Sequence, residues 1–309
     1  ISTLGPAKGG DVNQTITGEK LYETIAEVSA DLYKRSLTDL PPDVRRAVGE
    51  AFEAEEGRRA RMMLRIIQRA VETSDRTDLI VCQDTGIPVF FVGIGTEFPV
   101  NGHRLIAALG SGIELATKRY NLRSSIVHPI TRENRQTSTG REIPVVHIEF
   151  LDGADYLDLQ LLPKGSGSEN MSFVKMLTPA DGLSGVKRFV LDCVVQAGAN
   201  PCPPTIVGVG IGGSFDKCAE LAKRAIKRPV GEPHPEAEIA ALERELLEAI
   251  NLTGIGPQGL GGKTTALAVH VEYAWTHITM NPVAVNLQCW RGERARARIG
   301  TDGTVDYGY

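Results

Sequence analysis

No apolar run in this 309-residue sequence approaches the roughly 18 residues of a membrane span, which excludes a chain that crosses a membrane as helices. Neither sign of charge dominates. The 34 Lys+Arg and 38 Asp+Glu leave a net charge of -4, which argues against a general nucleic-acid binder. Aromatics are scarce at 6%, but the hydrophobic fraction of 42% and the charged fraction of 23% are ordinary, which excludes a largely disordered chain. The five cysteines, odd in number and thinly spread, do not read as a disulfide framework. A reducing, cytoplasmic setting follows as the expectation. The opening stretch ISTLGPAKGGDVNQTITG has no long apolar region and so does not read as a secretory signal. It reads as a flexible leader over residues 1–18, ahead of one unit over 19–309. No internal repeat or low-complexity linker divides that unit.

What is present is alternation of helical and strand patterns. Leu21, Ile25, Val28, Leu32 and Leu37 recur at helical intervals. Pro41 and Pro42 open a further helical stretch at a position proline tolerates, and its continuation carries Met62, Leu64, Ile67 and Val71 to a stop near Asp75. LIVCQDTGIPVFFVGIG, from Leu79, reads as strand, loop, strand. NGHRLIAALGSGIELATKRY reads as a helix, and IPVVHIEF and DYLDLQLL as antiparallel strands. A helix over 183–197, a buried strand TIVGVGIGG, helices over 214–227 and 235–250, and strands TTALAVHVEYA and PVAVNLQCW complete the pattern. The expected class is α/β (mixed α+β), a helical N-terminal layer packed on mixed sheets with Gly-rich loops.

Three glycine-rich loops lie beside polar residues: KGSGSEN (164–170), GVGIGG (208–213) and GIGPQGLGGKTT (254–265). Glycine lets backbone approach a ligand closely, and exposed N–H groups there can hold carboxylate or phosphate. Two nucleotide readings fail on spacing. A P-loop ending in GKT from Gly262 needs glycine at 257, which is Pro257. Gly208, Gly210 and Gly213 match G-x-G-x-x-G, but the nearest acidic residue at the required distance, Glu232, sits in a Pro-rich link rather than at a strand end.

Cys82, Cys202 and Cys289 lie at loop mouths beside Pro, Gly or polar residues, whereas Cys193 and Cys218 fall inside helical patterns. Two readings stand side by side. All five are small buried hydrophobes, or the three loop cysteines hold a metal group, such as an iron–sulfur cluster with one iron lacking a protein ligand. Zinc fits less well, because no C-x-x-C pair or close Cys/His spacing is present.

The motifs CQDTG, KGSGSENMSFVKML, NPCPPTIVGVGIGG, GIGPQGLGGKTTALAVHVE, THI and PVAVNLQCW, in this order over about residues 20–300, resemble the class I, iron–sulfur fumarase family, which includes L-tartrate dehydratase. The likeness is to the α subunit of two-subunit members, or to the N-terminal half of single-chain ones. LRSSIV, GSGSENMS, GGKTT and THI look closer to the fumarase branch. Three stretches depart from the family pattern: Ser166 stands inside the usual GGGSEN, TSTGREIP (137–144) replaces NTGDNTP, and WRGERAR follows Cys289.

The resemblance implies a 4Fe–4S cluster on Cys82, Cys202 and Cys289, whose unligated iron acts as a Lewis acid toward the substrate hydroxyl. It implies Asp84 and His277 as catalytic groups, with Asp84 in acid/base or water-handling work and His277 binding a carboxylate or relaying a proton. Gln83, Arg123, Gly165 and Gly167 become substrate-binding residues, Arg123 as a bidentate carboxylate clamp. Lys263, Thr264 and Thr265 are expected to line the same pocket. His103, His128, His147, His234 and His270 take structural readings. The implied activity is fumarate hydratase, acting on malate and fumarate; the alternative is L-tartrate or another 2-hydroxy-dicarboxylate dehydratase, and the non-enzyme alternative is a cluster-binding regulatory protein. A β subunit in an α2β2 assembly is expected to complete the active site, leaving this chain inactive by itself.

Overall fold

The computed structural model describes residues 16–309. The expected leader therefore lies outside the described residues up to position 15. Ile16 already packs into the core, and its N–H is bonded to the Thr301 carbonyl.

Three helices open the described chain: α1 Gly18–Thr38, α2 Pro42–Ala54 and α3 Arg58–Thr77. All five periodic residues of α1 are buried, and Pro42 takes the first helical position of α2. On α3, Leu64, Ile67 and Val71 are buried but Met62 is exposed. Two residues advance a helix by about 200°, which carries Met62 off the face of Leu64. The strand expected from Leu79 does not form. That segment runs past the ends of α1 and α3, where Val81 donates to the Leu37 carbonyl and the Ser74 hydroxyl to the Leu79 carbonyl. Its backbone groups finish helices instead of joining a sheet.

The rest alternates: β1 Ile87–Gly95, α4 Gly102–Arg119, β2 Val145–Leu151, β3 Tyr156–Lys164, α5 Ser166–Glu169, β4 Phe173–Leu177, α6 Gly182–Ala197, β5 Thr205–Gly212, α7 Phe215–Ala225, α8 Ala237–Asn251, β6 Ala266–Ala274, β7 Asn281–Gln288, β8 Ala295–Gly300 and β9 Val305–Gly308. The fold is of the α/β class, with two mixed sheets. The first has the order β2-β1-β3-β8-β9, and the second β4-β7-β5-β6. β2 and β3 run in opposite directions, as expected, yet do not touch. β1 lies between them, parallel to β2 and antiparallel to β3. The helical crossover through α4 sets β2 beside β1 in the parallel sense, so β3 returns along the other edge of β1.

In the second sheet, β5 and β6 are parallel and β7 is antiparallel to β5. The glycines of GVGIGG serve this packing. A Cβ on Gly208 would lie 2.2 Å from the Ala222 carbonyl oxygen, and one on Gly210 would lie 2.0 Å from that of Cys218. Only bare backbone lets α7 sit so close to β5, which gives the G-x-G-x-x-G spacing a structural cause. Cys193 and Cys218 are buried core residues. Leu40, Val44 and Val71 of the helical layer share one apolar cluster with Phe91 and Leu162 of the first sheet and Ile206 and Ala268 of the second. The helical layer thus locks the two sheets together along one seam.

His270 on β6 is 2% exposed, and its Nδ1 has no partner among the described residues. Burial, reinforced by Arg228, lowers its pKa from 6.5 to about 4. Between those values the unfolded chain binds the extra proton, so stability falls as pH drops through this window, by about 3 kcal/mol in full. Thermal melts from pH 7 to pH 4.5 should show this loss, and His270→Gln should remove most of it. An unchanged pH slope in the variant would refute the assignment.

Candidate active site

Three loops meet where the seam reaches one end of both sheets. Residues 82–86 lead into β1, residues 198–204 lead into β5, and Cys289 follows β7. Cys202 has a left-handed backbone (φ 56°), and its carbonyl accepts the Trp290 N–H at 3.2 Å, which ties its loop to that of Cys289. Burial pushes the Cys202 thiol pKa up, and the neighbouring Cys82, Glu293 and Asp84 push it the same way. Cys289 is raised well above the ordinary thiol value, first by burial and then by Glu293, with Cys202 adding to the effect. Cys202 therefore lies within electrostatic reach of both Cys82 and Cys289, and a cation among them would favour the thiolates.

Soft thiolates from three separate loops suit an iron–sulfur group that leaves one iron without a protein ligand. Among the described residues, no group of three or more His, Cys, Asp or Glu side chains is placed to hold a metal ion. The fit to a cluster rests on the thiol donor type and on the meeting of the three loops.

Asp84 is fixed beside the cysteines. Its Oδ1 accepts the Gly86 N–H at 3.1 Å, closing an Asx turn. Its Oδ2 accepts both the N–H (2.7 Å) and the hydroxyl (3.0 Å) of Ser166. Ser166, one of the departures in sequence, is therefore a direct partner of the carboxylate. Gly165 and Gly167 flank it, and a side chain at either would make a tight contact. An added Cβ would lie 3.2 Å from Asp84 Oδ2 at Gly165, and 3.0 Å from the Asn200 carbonyl oxygen at Gly167. Thr85 bolts the loop to the next segment, donating to the Arg123 carbonyl at 2.6 Å, while Tyr33 donates to the Thr85 carbonyl at 3.1 Å.

Asp84, Ser166, Arg123, Arg132 and Lys164 line one cavity of about 640 Å³. Lys164 is 1% exposed. Its ammonium donates to the Ser168 hydroxyl (2.8 Å) and the Leu287 carbonyl (2.6 Å), and it pairs with Glu169 at 3.4 Å. Burial pushes the Lys164 pKa down against the pull of Glu169. Burial pushes Glu169 up, but Lys164 and Lys223 override it and leave that carboxyl below its ordinary value. Neither Arg123 nor Arg132 has an ion pair or a side-chain hydrogen bond among the described residues.

The structure thus gathers Cys82, Cys202, Cys289, Asp84, Arg123, Gly165 and Gly167, with Gln83 exposed between Cys82 and Asp84. It does not bring His277 to them. His277 lies in the β6–β7 loop, and the eight residues of β7, about 25 Å of strand, separate that loop from Cys289. Its Nδ1 lies 2.9 Å from the Thr279 hydroxyl, and its neighbours Trp275 and Ile278 are 92% and 87% exposed. The expected role for Lys263, Thr264 and Thr265 is also corrected. The Lys263 ammonium pairs with Glu56 and its N–H bonds Glu55, while Thr265 accepts the Gly256 N–H. These contacts fasten the loop to the helical layer, and none of the three residues lines the cavity.

Sequence reasoning passed over Lys164, Glu169, Arg132 and Glu293. The first two stand in KGSGSEN itself, where a lysine and a glutamate bracket the glycines. The WRGERAR departure is a buried ionic segment. Arg291 donates to the Leu37 carbonyl at 2.8 Å and pairs with Glu293, whose carboxylate lies 3.5 Å from the Cys289 sulfur, and Arg294 pairs with Asp43.

A cavity that joins a fixed carboxylate and guanidinium groups without ion-pair partners, next to the loop that carries Cys82, suits the removal of water from a carboxylate-bearing substrate, the work of a hydro-lyase. Comparison with known proteins agrees: residues 26–298 match the model of the fumarate hydratase (Fumerase) family, and the chain belongs to that family. A Methanocaldococcus jannaschii protein provisionally named L(+)-tartrate dehydratase subunit alpha is 43% identical over 285 residues, covering 91% of this chain and 99% of its own length. The L(+)-tartrate dehydratase subunit alpha of Escherichia coli strain UTI89 is 33% identical over 287 residues, covering 93% of each chain. These relatives favour the tartrate alternative over the fumarate hydratase expected from the motifs. Of the motifs that suggested fumarase, GSGSENMS and LRSSIV line the cavity, while GGKTT and THI lie outside it.

Removing the Lys164 ammonium should loosen the whole site. Lys164→Met leaves the Leu287 carbonyl without its partner and Glu169 with one cation fewer, a loss of about 3 kcal/mol by urea unfolding. A loss below about 1 kcal/mol would show that the ammonium does not hold the seam.

Proposed function

We propose that this chain is the α subunit of an iron–sulfur 2-hydroxy-dicarboxylate dehydratase, with L-tartrate as substrate and a separate β subunit completing the site. The observation that carries the reading is the convergence of Asp84 and Arg123 in one cavity beside Cys82, Cys202 and Cys289. The subunit names of the two relatives support both the substrate and the β partner. A cluster held by the three cysteines would supply Lewis-acid polarisation of the substrate hydroxyl.

The chain's own residues do the rest. Arg123 holds a substrate carboxylate through its planar fork. Ser166 and Gly86 hold Asp84 in one orientation, and its carboxylate handles the proton or the departing water. Gln83, exposed beside it, offers an amide to the substrate hydroxyls. Loss of hydroxide from one carbon and of a proton from the next turns tartrate into an enol, which tautomerises to a 2-oxo dicarboxylate. His277 enters this scheme only across a chain boundary. Since it cannot reach the cysteines of its own chain, it serves the site of a second copy, in keeping with an α2β2 assembly.

The test is turnover by the anaerobically reconstituted αβ enzyme on L-tartrate, malate and mesaconate. L-Tartrate should give the highest kcat/KM. A preference for malate would return the reading to fumarate hydratase. Asp84→Asn should lower kcat at least 1,000-fold with iron content unchanged, whereas a regulatory cluster protein would show no turnover to lose.

The placement of His277 makes a separate prediction. Asp84→Asn and His277→Ala enzymes, each inactive, should regain about a quarter of wild-type activity when their α subunits are unfolded, mixed and reassembled. Persistent inactivity of the hybrids would sink the cross-copy role.

A further inference from the structure

We infer that the free edge of β2 is where a second copy of this chain docks, antiparallel and about a two-fold axis through Ile148, so that two five-stranded sheets join into one. The edge itself points to this occupant, whatever the substrate; only the β subunit of the assembly rests on the proposed function.

The two described sheets have four outer strands, and three of them are blunted against pairing. β9 has four residues and carries Asp306. β4 has five and carries Lys175. β6 is stopped by side chains: Val271 donates to Glu243 (2.8 Å) and accepts from Arg228 (2.9 Å), while Asn251 Oδ1 accepts the Ala266 N–H (2.9 Å). β2 has seven residues, VVHIEFL, without proline, lysine or arginine, and no strand pairs its outer side among the described residues. The Leu151 carbonyl accepts the Thr96 N–H at 3.0 Å, on the β1 side. Alternation along the strand then turns the N–H and C=O groups of Val146, Ile148 and Phe150 outward. The side chains of these three share one face, on which Val146 packs against the core that includes Leu105 and Leu109 of α4. There Ile148 is 42% exposed, Phe150 75% and Ile106 of α4 46%, an apolar stripe left open at the sheet edge.

The residues of this edge match their own reverse. Antiparallel pairing centred on Ile148 sets Ile148 against Ile148, Val146 against Phe150, Val145 against Leu151 and His147 against Glu149. The outward groups of Val146, Ile148 and Phe150 become the hydrogen-bonded pairs of the new ladder. Centres at His147 or Glu149 would instead oppose two imidazoles or two carboxylates, which is destabilising. Within one copy, His147 Nε2 is buried without a partner among the described residues, and Glu149 reaches Arg224 only at 3.7 Å. The pairing also sets Phe150 of the second copy opposite Val146, which lines a cavity of about 620 Å³ with Ile106 and Pro144. A patch complementary to itself closes as a two-fold dimer. Its sense suits the exchange of His277. Val145 lies beside Val89, near the cysteine end of β1, and Leu151 lies beside Gly95 at the far end. Antiparallel pairing therefore brings the far end of one copy alongside the cysteine end of the other.

Because Ile148 meets itself on the axis, one position tests both partner and register. In sedimentation, the anaerobically reconstituted enzyme should run as α2β2 for the wild type and for Val174→Glu, a control at an exposed apolar position of β4. Ile148→Lys and Ile148→Glu should each run as αβ, with the dissociation constant raised about 100-fold by the opposed like charges. An equal mixture of the two variants should return to α2β2, because opposite charges then meet on the axis. A wild type that runs as αβ, single variants that stay α2β2, or a mixture that stays αβ would each overturn the inference. If the wild type dimerised through Ile148 yet turned over no hydroxy dicarboxylate, the dehydratase reading would fall and the interface would stand.

Discussion

A single buried ammonium holds the site together. Lys164 ends a strand of the first sheet and donates to the Leu287 carbonyl on a strand of the second. An ammonium removed from water is stable only if nearly every proton finds an acceptor, so Ser168, Leu287 and Glu169 are held to their places around it. Leu287 precedes Cys289 by two residues, and Ser168 follows Ser166, the partner of Asp84, by two. Cys289 and Asp84 are thereby indexed to the same positive charge. The close pass of Gly86 adds to this, since a Cβ there would lie 2.7 Å from the Lys164 nitrogen of the main chain.

From that anchor the site sorts its charges by depth. The deep ones neutralise each other: Lys164 and Lys223 with Glu169, Arg291 with Glu293, Arg294 with Asp43. The charges toward the cavity mouth, Arg123 and Arg132, do not. Deep ion pairs confer little net stability, but they penalise any packing that separates them. The outer guanidiniums keep their full hydrogen-bonding capacity for whatever enters.

Much of this was legible in the sequence, and the limits have physical causes. Periodicity found the buried face of α1, because local helical geometry alone dictates it. It placed Met62 on the wrong face of α3, because a two-residue step was read as part of the same stripe. The strand expected at Leu79 was lost to long-range competition for its backbone groups. The order of β2, β1 and β3 is a matter of crossover handedness that alternation does not encode. Loop-mouth position and family likeness together picked out Cys82, Cys202 and Cys289 from the five cysteines. Lys164 was invisible in that view, since a lysine beside glycines ordinarily reads as a solvated loop residue. His277 is the reverse case: a motif marks it as functional, and only the fold reveals how far it stands from the other functional residues of its chain.

The cysteines differ in depth, and the difference sets an order of events. Cys82 and Cys202 are exposed while Cys289 is partly covered, with its sulfur enclosed beside Glu293. Any oxidant or chelator arriving from water meets the two outer sulfurs first and the inner one last. Chemistry at the thiols therefore begins at the rim and reaches the Cys289 sulfur last.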